Sequence, residues 1–415
     1  MQVYPRGRLV ARNGEQMSAI RRSRAAWHRP ANAVVLGYLC ATLGVAAYER
    51  SWPPQWLLTH VFLLGAATNA IVIWTAHFTT TLLPHATRAT AASGWALPVS
   101  LGVLNAGVLS VLLSAPRDVP AGVIAGAAMI CAAVLARAVA MASAAFRAVA
   151  SRFGAVVWFY VAAAVLLLLG VAAGTALAVG VPMAWSSRVY AAHVELNVFG
   201  WISLTVLGTQ AIFWPMVLRT RMVAGAQVAA RQALPMCVAG VLIAVTGLLA
   251  NNRFVVAAAV ALYIVGAIRG LEPFARTAVQ RAPRSPAALM LGAAVCWFVA
   301  GLAAELGKVV AANDLNDFAA AVSRFVPWLV TGFVVQVLVG ALTYLLPVVL
   351  GGGPLRGRRR AAILDRVGVL RVVAFNAGLL LVATSDGGVV TSAGWALAGA
   401  ALAAFCVLAA VAIAR

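Results

Sequence analysis

His193, Glu195 and Asn197 stand at alternate positions near the start of AAHVELNVFGWISLTVLGTQ, residues 191–210. An imidazole can ligate a metal or haem iron, a carboxylate can ligate or carry a proton, and an amide can hold either in place. A second imidazole, His60, begins the similar stretch HVFLLGAATNAIVIWTAHF, residues 60–78, which also carries Asn69 and His77. Glu305 and Lys308 in AAELGKVV, and Arg324 beyond them, also interrupt apolar sequence.

Helical geometry sorts these groups. His193, Asn197, Gly200 and Leu204 form one stripe of a regular helix, with Glu195 on roughly the opposite side. One of His193 and Glu195 then serves a ligand while the other faces a second helix or water. The candidate metal ligands are His60, His193 and Glu195, with a packed polar residue as the alternative for Glu195. His60 and His77 lie about 25 Å apart along a helix and cannot bind one atom. Asn69, Ile73, His77 and Thr80 share a face turned away from His60, and an interhelical hydrogen bond accounts for His77. Glu305 and Lys308, three apart, suit an interfacial ion pair. Arg324 either snorkels to the surface or clamps an anionic group such as a haem propionate.

The elements that position these groups are membrane helices. The chain has 415 residues, 63% hydrophobic and 10% charged, against about 25% charged in soluble domains. Apolar runs long enough to cross a bilayer lie near 32–48, 56–83, 92–114, 119–143, 154–181, 189–218, 230–250, 253–270, 286–312, 321–350, 367–384 and 389–413. The expectation is an all-α polytopic bundle of about twelve transmembrane helices, residues 32–415, behind a basic cytoplasmic tail, residues 1–31. The eighth run is short, and Asn376 interrupts the eleventh. Residues 351–360, GGGPLRGRRR, read as a flexible basic loop.

The net charge of +21 is a topology signal rather than a nucleic-acid footprint, because the arginines sit in short loops. With the N-terminus inside, the outer side receives only Arg50, Arg117, Arg188, Arg253, Lys308 and Arg324 of the 31 basic residues. A multi-pass protein of the cell membrane with both termini cytoplasmic follows. The five cysteines fall singly in apolar runs, which suits buried small hydrophobes better than disulfides or a thiolate site. His28 and His85 flank spans on the cytoplasmic side and read as solvated.

His60 and His193 each stand just inside the outer end of a span, the second and the sixth. Four spans separate them, and HVFL matches HVEL, which hints at a four-helix unit used three times. The third copy, the tenth span, offers Trp328, Gln336 and Tyr344 but no histidine. Gly65, Gly200 and Gly208 suit close helix packing, or room for a flat cofactor.

HVELNVFGWISLTVLGTQAIFWPMVLRTRM, with residues 60–78 and ALTYLLPVVLGGGP at 341–354, resembles membrane proteins related to haem-copper oxidase subunit I, above all the actinobacterial-type members often labelled copper oxidase. That resemblance implies three four-helix arcs, and haem or copper held near the outer side by histidines on the second, sixth, seventh and tenth helices. Carried over, His60 is the second-helix ligand and His193 the sixth-helix ligand. Glu195 stands where the family pattern has a second histidine, and the seventh and tenth spans supply none, so oxygen reduction and proton pumping are not expected. The expectation is a haem- or copper-binding membrane protein with a redox, nitrogen-oxide or copper-handling role. Asn197 and Arg324 support the cofactor, and a cupredoxin or other electron-transfer protein is the outer partner. The rivals are a cofactor-free transporter, with Glu195 and Glu305 as a proton-coupled pair, and a scaffold that has lost its metal.

Overall fold

The computed structural model describes residues 6–48, 54–84, 87, 95–148, 151, 153–385 and 387–415, with side chains from residue 27 onward. Among the described residues there is no strand. Twelve helices are long and apolar enough to cross a membrane: α1 (Trp27–Tyr48), α2 (Gln55–Leu82), α3 (Ala96–Arg117), α4 (Pro120–Arg147), α5 (Gly154–Val179), α6 (Met183–Val217), α7 (Ala226–Leu249), α8 (Arg253–Gln280), α9 (Pro286–Ala311), α10 (Leu315–Val349), α11 (Gly353–Thr384) and α12 (Gly388–Ala414). Helices satisfy their own backbone groups, which lipid cannot do. Large apolar side chains such as Leu113, Val139, Ile268 and Leu380 remain exposed, as contact with acyl chains requires. Twelve crossings put both termini on one face, called here the terminal face; the opposite one is the far face.

Features recur every four helices. The second member of each set, α2, α6 and α10, is the most enclosed of the spans. Each carries a π-helical segment, at Val61–Ala67, Glu195–Ser203 and Val330–Val335. A glycine in each segment meets the preceding helix: Gly65 meets Tyr38 of α1, Gly200 meets Leu166 of α5, and Gly332 meets Trp297 of α9. Three residues on, Thr68 donates its hydroxyl to the Leu63 carbonyl and Ser203 to that of Val198, each five residues back. Four residues after the glycines come Asn69, Leu204 and Gln336. Asn69 and Asn105 exchange two amide hydrogen bonds at 3.1 and 2.8 Å. Gln336 and Asn376 do the same at 3.1 and 2.9 Å. Leu204 breaks the pattern in the middle unit. Asn376 is thus no interruption of α11; it ties α11 to α10, and Trp297 Nε1 donates to it at 2.8 Å.

The third and fourth members of the outer units close on glycines. A Cβ on Gly107 or Gly126 would lie 2.7 Å from the other's carbonyl oxygen, and one on Gly378 lies 2.5 Å from that of Gly394. These backbones touch because nothing separates them. Gly378→Val is expected to cost about 1–3 kcal/mol through overpacking and to lower the melting temperature in detergent. Gly102→Val, where a Cβ meets nothing within 4 Å, is expected to leave it unchanged.

Several expectations need correction. Helical backbone already begins at Arg6, inside the expected 1–31 tail. α8 is not short, at 28 residues. Residues 351–360 are mostly not a loop: Gly353–Leu364 is helical and forms the first arm of α11. The arm bends at Val367, whose φ is 44°, into the membrane-crossing part, Gly368–Thr384.

Candidate functional site

α2 and α6 both start at the far face, and the structure brings His60 and His193 side by side there. Their ring centroids are 6.2 Å apart and the planes 20° from parallel. Nδ1 of His60 lies 2.7 Å from the Trp56 carbonyl oxygen, and Nδ1 of His193 lies 2.9 Å from that of Gly170. A carbonyl only accepts, so both rings carry their hydrogen on Nδ1. The lone pair of each imidazole is therefore on Nε2. Trp56 also stacks on His60, with centroids 4.4 Å apart.

The stripe expected on α6 packs against α5. A Cβ on Gly174 would lie 2.6 Å from His193 Cε1, and one on Gly170 2.5 Å from Asn197 Nδ2. Asn197 Nδ2 donates to the His193 carbonyl at 2.7 Å and lies 3.2 Å from His193 Nδ1. Asn197 thus braces the turn that carries His193.

Glu195 does not join the imidazoles. It is buried and faces Glu305 of α9, itself buried. No group of three or more potential ligands for one ion exists among the described residues. The register explains the separation: counted back from the π-segment glycines, Glu195 and His60 occupy equivalent places, both five residues before. The HVFL/HVEL match aligned His193 with His60 instead. Tyr263 of α8 lies beside the two carboxyls and donates to the Phe199 carbonyl at 2.9 Å. Glu305 is therefore not an ion-pair partner of Lys308, which is exposed; among the described residues the only ion pairs join Glu272 to Arg269 and Arg276. Arg324 is exposed at the start of α10, and the neighbouring Ser323 carbonyl accepts from Gln55.

At the other end of α2 the solvated reading of His28 fails. His28 is fully buried, its Nε2 lies 3.1 Å from His77 Nδ1, and it stacks on Trp27 and Trp74. His77 thus takes an interhelical partner on α1. His85 lies outside the described residues. Below the π-segments, α2, α6, α9 and α10 enclose an apolar cavity of about 90 Å³, lined among others by Ala70, Trp74, Thr205, Gln210 and Leu338. Trp74 Nε1 and Gln210 Oε1 have no hydrogen-bond partner. Cys237 and Cys406 are buried, but Cys40 and Cys296 are exposed; Cys40 and Cys406 are neighbours across α1 and α12. Sequence reasoning missed the His28–His77 and Cys40–Cys406 contacts and the Trp74–Gln210 cavity. Each depends on partners far apart in the chain, with no shared spacing to betray them.

The donor set at the far face suits an ion. Two imidazoles bound end-on through bonds of about 2.0–2.1 Å place their centroids about 6 Å apart when they lie on nearly opposite sides of the ion, and the separation of 6.2 Å suits that near-linear arrangement. A haem needs more: drug-sized ligands fill about 300–1,000 Å³, and the cavity described lies elsewhere and is smaller, so seating a macrocycle requires α2 and α6 to part. The chain matches no known family model, no curated protein and no solved structure.

Proposed function

We propose that this is a copper-handling protein of the cell membrane, holding one copper ion between His60 and His193 at the far face. The observation that carries the reading is the paired imidazole geometry, with both Nε2 lone pairs available. Imidazole suits copper, and the resemblance of residues 193–222 to copper-associated membrane proteins is in keeping with it. Bound copper supplies one-electron chemistry, or is itself the cargo.

The chain's own residues do the positioning. The Trp56 and Gly170 carbonyls fix the tautomer and aim of each ring, the outer-shell role that tunes such ligands. Gly174 leaves the room His193 occupies. Both rings are half-buried, so they are reached from the far face, where a cupredoxin or similar electron-transfer protein would dock. The test is metal analysis with an optical spectrum of the purified protein. Copper at one ion per chain without a Soret band supports the reading. A Soret band at equal stoichiometry replaces copper by haem, and neither, after growth with ample copper and haem, removes the cofactor.

A second reading, a cofactor-free transporter, is favoured by the Glu195–Glu305 contact. Carboxyls buried inside a bundle mark proton relays in many carriers. This reading expects Glu195→Gln to abolish proton-coupled flux in proteoliposomes while copper content is nil in both proteins. Copper in the unmodified protein, with no flux in either, discards it.

A further inference from the structure

The turn between α10 and α11 has no part in the far-face site. Gly351, Gly352 and Gly353 all have positive φ, at 68°, 88° and 82°, and the Gly353–Leu364 arm starts from them. The helix start leaves its first backbone N–H groups without intrahelical partners and adds its positive dipole end.

Two arginines of the arm close over the turn. Arg356 folds back on it: a Cβ on Gly352 would lie 2.5 Å from Arg356 Cδ. Arg360 is 1% exposed, and one guanidinium nitrogen donates to the Gly351 carbonyl at 2.6 Å. Its Nε and Nη2 have no hydrogen-bond partner. The charged groups nearest to it are Arg29 of α1 and Arg356, both cations. The carboxylate of Asp365, on the same arm, faces Arg371 and Arg219. A covered guanidinium with two idle donors, and with cations as its charged neighbours among the described residues, is costly. A tetrahedral oxyanion would satisfy it, because the planar fork matches two of its oxygens.

We propose that the Gly351–Arg360 turn is a phosphate-binding site on the terminal face, formed by the glycine turn, Arg356 and Arg360, with Arg29 alongside. Its ligand is a phosphate group, carried by an anionic phospholipid or free in solution. Basic pockets between helices at a membrane edge take lipid headgroups in this way.

The test uses the full chain. In one arm, native mass spectrometry reads retention of phosphatidylglycerol after extraction from bilayers containing it. In the other, calorimetry in neutral detergent reads binding of inorganic phosphate. Arg360→Gln and Arg356→Gln are the test variants, and Arg358→Gln, at an exposed position of the same arm, is the charge-matched control. Lipid retention, or phosphate affinity, is expected to fall about tenfold or more in both test variants and to hold in the control. An effect in the first arm assigns the lipid, and one in the second the free anion. No binding in either arm, or an equal loss in Arg358→Gln, overturns the proposal. If Arg360→Gln fails to fold by thermal melting, Arg356→Gln decides alone.

Discussion

Copper content falls from one ion per chain to nearly none in His60→Ala and in His193→Ala alike. Among the described residues two imidazoles lie side by side at the far face, and Glu195, the third ligand the sequence offered, faces Glu305 instead. Removing either ring leaves a single donor, and a lone imidazole competes poorly with water and buffer. Altering only an outer-shell partner costs about 10–100-fold in affinity, so losing a ligand is expected to cost at least about 100-fold. Both substitutions are at half-buried positions, so each variant is expected to fold. Copper titration against a competing chelator measures the change. Full occupancy in both variants would refute the assignment, and loss in one alone would mean the ion is not shared.

Gly174→Ala keeps both histidines and is still expected to weaken copper binding, by about 10–100-fold. The new methyl would lie 2.6 Å from His193 Cε1 and 2.9 Å from Nδ1, inside contact distance. The ring must swing away, which breaks its bond to the Gly170 carbonyl and shifts Nε2 from its place beside His60. Gly154→Ala is the control on the same helix, since a Cβ there meets nothing within 4 Å. The same titration reads both, with thermal melting to confirm that each folds. Unchanged affinity in Gly174→Ala would show that the aim of His193 does not matter.

The twelve spans were legible because bilayer thickness sets a length and lipid sets a composition, and both are local properties of sequence. The shared depth of His60 and His193 followed from counting crossings. Asn197 and Gly200 were placed correctly on one stripe because that stripe packs against α5 whatever the exact pitch. The equivalence of His60 with Glu195 was not legible, because a π-segment changes the number of residues per turn without changing the letters. A match of four apolar-rich residues then chose the wrong register. His28 was assigned to solvent because it adjoins a basic tail; its burial comes from Trp27, Trp74 and His77, two of them on α2. The glycine run at 351–353 was legible as a turn, but the same residues also start a helix, which composition did not separate from a loop.

Which atoms hold copper decides between the histidine pair and any other place on the chain. Cys40 and Cys406 make a second place where a soft ion could lodge, and only the donor type tells the two apart. X-ray absorption at the copper edge of the loaded, purified protein measures it directly. Nitrogen scatterers at about 1.9–2.1 Å with the outer-shell pattern of two imidazoles are predicted. Sulfur scatterers near 2.3 Å, or fewer than two imidazoles, would contradict a site at His60 and His193.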